Sequence, residues 1–131
     1  MAENTKELNI LVFSDDVTFR EDVKAAVGLH PYAGSPEVRF VEAATGPGVI
    51  NTFADNSFDL AIFDGETKKD GAMSVAHTIA ETINPDEVPP VIFVVARQQD
   101  EWLARGAGAA SVVLKPVNAL KLQEEIAKLL K

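Results

Sequence analysis

The chain predicts an α/β fold: a single doubly wound sheet of five parallel strands with helices on both faces. Three observations carry this. Short, continuous apolar runs alternate with longer segments of helical spacing, five of each. Pro90 to Ala96 is the most apolar of these runs, as expected of a central strand covered on both faces. And 131 residues, 47% apolar and 24% charged, suit one ordered domain with a core of its own.

Leu8 to Ser14 is the first apolar run, rich in β-branched and aromatic residues, and ends at Asp15-Asp16. From Val17 to Gly28, Phe19, Val23, Ala26 and Val27 fall at i, i+4, i+7 and i+8, one helical stripe. His30 to Pro36 is a loop. Glu37 to Ala43 reads as the second strand. Thr45-Gly46-Pro47 breaks it, and Val49, Ile50, Phe53 and Ala54 predict a short helix. Phe58 to Phe63 is the third strand, ending at Asp64-Gly65, with a polar loop from Glu66 to Gly71. Ala72, Val75, Ala76, Ile79 and Ile83 make the third helical stripe, stopped by Asn84-Pro85-Asp86. Pro90 to Ala96 is the most apolar strand and is expected near the centre of the sheet. Asp100 to Ala107 is a weak, short helix, in which Trp102 and Leu103 are expected to face the core rather than to form a partly exposed partner face. Ala110 to Leu114 is the fifth strand, closed by Lys115-Pro116. Ala119, Leu122, Ile126, Leu129 and Leu130 form the last amphipathic helix.

Composition narrows the function classes. Twenty acidic residues against twelve basic ones give a net charge of −8, which repels phosphate backbones, so binding of DNA or RNA by this chain is not expected. Anionic membrane surfaces are disfavoured for the same reason. Cysteine is absent, which removes disulfides, thiolate metal sites and cysteine nucleophiles. The polar start, Met1 to Lys6, lacks the apolar core of a signal peptide, and no apolar run approaches the ~20 residues of a spanning helix. The expectation is a cytoplasmic protein with no membrane association.

Right-handed crossovers put every strand's carboxyl end on one edge of such a sheet, where ligands bind. Asp15, Asp16, Asp64 and Lys115 therefore meet there. Three carboxylates held close repel one another, and a hard divalent cation such as Mg²⁺ removes the conflict while keeping open positions for a phosphoryl group. Lys115 is placed to neutralise phosphoryl charge. A carboxylate beside Mg²⁺ is also a competent nucleophile, forming an aspartyl phosphate.

Asp15-Asp16 after the first strand, Asp64 after the third and Lys115-Pro116 after the fifth resemble the receiver domain of bacterial two-component response regulators. The resemblance runs from about Leu8 to Leu130. Gly71 resembles the glycine after the phosphoacceptor loop, and Gly108-Ala109 the pair before the fifth strand. It implies the (βα)5 flavodoxin-like receiver fold, strand order 2-1-3-4-5, in one receiver-like domain over residues 1–131 with no effector domain. It implies that Asp64 is the phosphoacceptor and that Lys115 contacts the phosphoryl group. Mg²⁺ would be held by Asp16 directly, by Asp15 often through water, by Asp64 and by the backbone carbonyl of Glu66. The donor would be a phosphohistidine on a sensor histidine kinase or phosphotransfer protein. The chain would not be an enzyme beyond its own phosphorylation and dephosphorylation. The family's usual contact surface is the face of the fourth helix, fifth strand and fifth helix, here for a downstream protein or a second copy of the chain.

The chain departs from the family at the switch. Where receivers carry Thr or Ser at the end of the fourth strand, this sequence has Val95, followed by Ala96 and Arg97. The usual Tyr or Phe before the lysine falls on Val112 or Val113. The loop Gly65 to Asp70 lacks the common Met and Pro. These changes leave phosphorylation chemically open and favour a competing function, a pseudo-receiver interaction module that does not switch.

Plainer readings stand beside each residue. Asp15 or Asp16 suits an N-cap. Asp64-Gly65 suits a turn, and Lys115-Pro116 an exposed strand end. His30 and His77 show no metal-ligand spacing, and Lys68-Lys69 reads as a solvated loop. An aspartate-nucleophile phosphatase lacks a substrate-covering insert and a placed general acid. A flavin-binding protein is disfavoured because Ser14-Asp15-Asp16-Val17 is acidic where a phosphate loop needs free N–H groups.

Overall fold

The protein is described by a computed structural model over residues 7–66 and 71–131. Its order is β1 (Glu7–Phe13), α1 (Val17–Val27), β2 (Glu37–Ala43), α2 (Gly46–Asp55), β3 (Leu60–Asp64), α3 (Ala72–Thr82), β4 (Val91–Val95), α4 (Glu101–Gly106), β5 (Ser111–Leu114) and α5 (Ala119–Leu130). Single 3₁₀ turns, Pro85–Glu87 and Gln98–Asp100, precede β4 and α4. All strand pairs are parallel and the sheet order is β2-β1-β3-β4-β5, as the family resemblance implies.

The continuous apolar runs follow from this placement. β3 and β4 are buried along their whole length. Successive side chains leave opposite faces of the sheet. Leu11, Phe13, Phe63, Phe93 and Val95 join α2, α3 and α4 in one core, while Ile10, Val12, Ile62, Ile92 and Val94 join α1 and α5 in the other. Helices therefore cover both faces. Phe13, Phe63 and Phe93 pack in a row across three strands, with centroids 5.3 and 5.7 Å apart. The Phe13–Phe63 pair is edge-to-face, a geometry that adds about 0.5–1.5 kcal/mol beyond burial, and Phe63–Phe93 is tilted. Phe13 precedes Ser14 and Phe63 precedes Asp64, so this row fixes the strand ends that carry the polar residues.

Three local expectations change. β3 begins at Leu60, not Phe58. Asp59 explains this: its carboxylate accepts from the Asn9 N–H at 2.8 Å, so a side chain takes a backbone partner that a longer strand would use. Phe58 is buried, edge-on to Phe53, as core without being strand. Trp102 and Leu103 do not face the core. They are 72% and 44% exposed, because the short α4 turns Ala104 inward, with Ala107 just beyond it. Ala119, expected on the stripe of the last helix, is exposed, whereas Leu122 and Ile126 are fully buried. His30 and His77 are on the surface. Lys68 and Lys69 lie outside the described residues.

Candidate functional site

Asp64 is the last residue of β3 and is only 3% exposed. A carboxylate so placed is tolerated only when donors surround it. Lys115 Nζ stands 2.8 Å from Oδ1, and the Glu66 N–H donates to the same oxygen at 2.9 Å. The Ser14 hydroxyl donates to Oδ2 at 2.7 Å. Lys115 is aimed by its own backbone, whose N–H donates to the Val95 carbonyl at 2.8 Å as the chain leaves β5. Its ammonium also lies 5.0 Å from the centre of the Phe19 ring of α1, a cation–π contact. Asp64 and Lys115, predicted to meet, do meet, and Lys115 is not a bare strand end.

The acidic pair is arranged differently from Asp64. Asp15 and Asp16 are exposed on the turn between β1 and α1. Asp16 caps α1, its Oδ1 accepting from the Thr18 N–H at 2.9 Å, so the plain capping reading holds for this residue. Asp16 reaches Asp64 through Ser14: its own N–H donates to Ser14 Oγ at 3.0 Å. Among the described residues, no three Asp, Glu or His side chains are gathered as a ready ligand set. Among the described residues, what this edge offers is hard oxygen, the carboxylates of Asp15, Asp16 and Asp64 and the Glu66 carbonyl, with no sulfur and no imidazole. That chemistry fits Mg²⁺, which needs one or two carboxylates and takes its other positions from water and phosphate.

One residue of the site, Ser14, was not singled out from sequence as a site residue. Ser14 is fully buried. Its N–H donates to the Ala43 carbonyl at 3.1 Å, and its carbonyl accepts from Arg20 Nη1 at 2.6 Å. Arg20 also pairs through Nε with Glu42 at 3.0 Å, and Lys24 binds the other Glu42 oxygen at 2.9 Å. The hydrogen bond from Lys24, with help from Arg20, holds the Glu42 carboxyl below the usual range. The available sequence clue was a small hydroxyl residue ending a buried strand directly before the acidic pair.

On the other flank, Val95 is fully buried in the core. A Cβ on Gly65 would lie 2.8 Å from Val95 Cγ1 and 3.1 Å from the Val94 carbonyl oxygen, so the turn after Asp64 needs glycine where it crosses β4. The Ala96 N–H donates to Glu66 Oε2 at 3.3 Å. A concavity of about 380 Å³ opens beside Lys115, lined among others by Asp16, Phe19, Asp22 and Pro116.

No family model matches the chain. A response regulatory protein of Mycobacterium tuberculosis, found in two strains, is 35% identical over 131 residues, which is 100% of this chain and 97% of that protein. A response regulator receiver domain from Clostridium thermocellum superposes with a TM-score of 0.75 at 25% identity, over 93% of both chains. A CheY-like receiver domain from Methanospirillum hungatei gives 0.71 at 25% identity, over 94% of this chain and 93% of that one. The signal receiver domain of a LuxO-type repressor protein from Vibrio parahaemolyticus gives 0.78 at 21% identity, over 95% and 91%, a likeness of fold. With a full-length relative at this identity and a receiver sheet ending in Asp64 and Lys115, the chain belongs to the response regulator receiver family of two-component signalling.

Proposed function

We propose that Asp64 accepts a phosphoryl group from the phosphohistidine of a sensor histidine kinase or phosphotransfer protein. The observation that carries this is the buried Asp64 carboxylate with Lys115 Nζ at 2.8 Å, on the sheet edge where ligands bind. One Asp64 oxygen attacks phosphorus. The P–N bond to histidine breaks, the P–O bond forms, and the imidazole leaves with the electron pair. Lys115 balances the charge that the phosphoryl oxygens bring to the edge. Asp15, Asp16, Asp64 and the Glu66 carbonyl are the residues that would hold Mg²⁺, which when bound supplies charge neutralisation to the transferring group. Apart from forming and hydrolysing its own acyl phosphate, the chain has no catalytic task in this reading.

Output belongs to protein contacts. Trp102, Leu103, Leu114 and Leu120 are exposed apolar side chains of α4, β5 and α5, a face suited to a downstream protein or a second copy. The net charge of −8 argues against nucleic acid as the target. No helix among the described residues is long and apolar enough to cross a membrane, in keeping with action in the cytoplasm.

A second reading has a specific observation in its favour. Val95 is a fully buried apolar side chain where a receiver switch needs a hydroxyl. A pseudo-receiver would keep the fold and the contact face without a phosphorylation switch, in its plainest form taking up no phosphate. Incubation with acetyl phosphate and Mg²⁺, followed by intact-mass spectrometry, separates the two. A single added phosphoryl group that Asp64→Asn abolishes supports the phosphoacceptor. An unmodified wild-type protein supports the pseudo-receiver.

A further inference from the structure

The hydroxyl missing at Val95 has a counterpart on the opposite flank of Asp64. Ser14 is fully buried, and each of its polar groups is committed. Its N–H binds the Ala43 carbonyl of β2 and its carbonyl accepts from Arg20 of α1. Its Oγ lies 3.0 Å from the Asp16 N–H and 2.7 Å from Asp64 Oδ2. The amide is only a donor, and an ionised carboxylate is only an acceptor. The hydroxyl proton therefore points at Asp64, and the oxygen lone pair at Asp16, the N-cap of α1.

We infer that Ser14 is the positioning residue of Asp64 and that it couples the state of this carboxylate to α1. The inference rests on the proposed role of Asp64 as phosphoacceptor. When an Asp64 oxygen forms the bond to phosphorus, Oδ2 becomes either the ester oxygen or the neutral carbonyl oxygen. In both cases the Ser14 hydroxyl loses its charged acceptor, and charge-assisted hydrogen bonds are roughly twice as strong as neutral ones. The hydroxyl turns, and the amide that it holds starts α1. The same residue's carbonyl bears on Arg20, and Arg20 bears on Glu42, which also binds Lys24. Asp64, Ser14, Arg20, Glu42 and Lys24 thus link β3, β1, α1 and β2. On the β4 side, the Val95 side chain has no polar atom with which to sense the same event.

The test is ¹⁵N NMR of the full chain at saturating Mg²⁺, before and after addition of beryllofluoride, a phosphoryl mimic. Wild type, Ser14→Ala, Ser14→Thr and Arg20→Gln are compared. The reporters are Glu66 and Lys115 amides for occupancy, and Arg20 Nε and the Glu42 amide for coupling. In wild type both groups are expected to shift. In Ser14→Ala the occupancy shifts need more beryllofluoride to reach saturation and the coupling shifts are lost even there, and Ser14→Thr restores both. Arg20→Gln, a change outside the core, keeps the occupancy shifts and loses that of Glu42, so the inference stays testable if Ser14→Ala does not fold. Coupling shifts undiminished in both Ser14→Ala and Arg20→Gln overturn the inference, as does a wild-type response confined to Ala96, Arg97 and α4. Absent occupancy shifts in wild type overturn the phosphoacceptor reading itself.

Discussion

Among the described residues, Asp64 accepts from Ser14 after β1, Glu66 in the following turn and Lys115 after β5. Removing the Lys115 ammonium takes a cation from a buried carboxylate. Lys115→Met is therefore expected to lower unfolding free energy by about 2 kcal/mol, read as a lower urea midpoint, and to slow phosphorylation by acetyl phosphate. Gly65→Ala forces a methyl to within 2.8 Å of Val95 Cγ1 and 3.1 Å of a backbone oxygen that has little room to move. Overpacking of this kind costs about 1–3 kcal/mol. Val95→Ala in the same chain is expected to recover part of that loss in the urea midpoint, and full additivity of the two changes would contradict the contact. At this scale the sequence was partly legible. Asp64 and Lys115 end strands, and parallel topology alone brings strand ends together. Ser14 was not legible, because its bond to Asp64 spans fifty residues and depends on how β1 and β3 align, with Phe13 beside Phe63.

The elements are stapled at their ends. Asp16, Thr45 and Asn118 cap α1, α2 and α5 through their side chains. β5, an edge strand of four residues, is fastened to α5 by the Ser111 hydroxyl, which donates to Glu125 Oε1 at 2.6 Å. That bond, followed by those from Lys128 and Lys121, pulls the Glu125 carboxyl down to about 2, against burial that acts the other way. A lowered value in the folded state means stability present above the ordinary 4.5 and lost as pH falls toward about 2. Ser111→Ala is expected to shrink the loss of stability between about pH 6 and pH 3 relative to wild type. An unchanged pH dependence would place the acid sensitivity elsewhere. Strand and helix existence was legible from apolar runs and stripes. Boundaries were less so where a side chain competes for backbone, as Asp59 does at the start of β3.

The whole molecule separates a polar carboxyl edge from an apolar lateral face. The two cores meet across a sheet whose β3 and β4 are buried along their whole length, and α4 has only six residues. Trp102 and Leu103 were expected in the core for their size and apolarity, but six residues make too few turns to define a face, and alanines took the inward positions. Exposure makes Trp102 a reporter. Trp102→Ala is expected to change unfolding free energy by less than about 0.5 kcal/mol while weakening any complex formed by the α4–β5–α5 face. Sedimentation against concentration checks the case of a second copy. A large loss of stability instead would show that the indole packs inward.

Phosphoryl transfer to Asp64 is the claim on which the rest depends, and intact-mass spectrometry after exposure to acetyl phosphate tests it most directly. The predicted result is one phosphoryl group on the wild-type chain in Mg²⁺, none when EDTA removes the metal and none on Asp64→Asn. A wild-type protein left unmodified at saturating Mg²⁺, or a modification that survives in Asp64→Asn, would contradict the account.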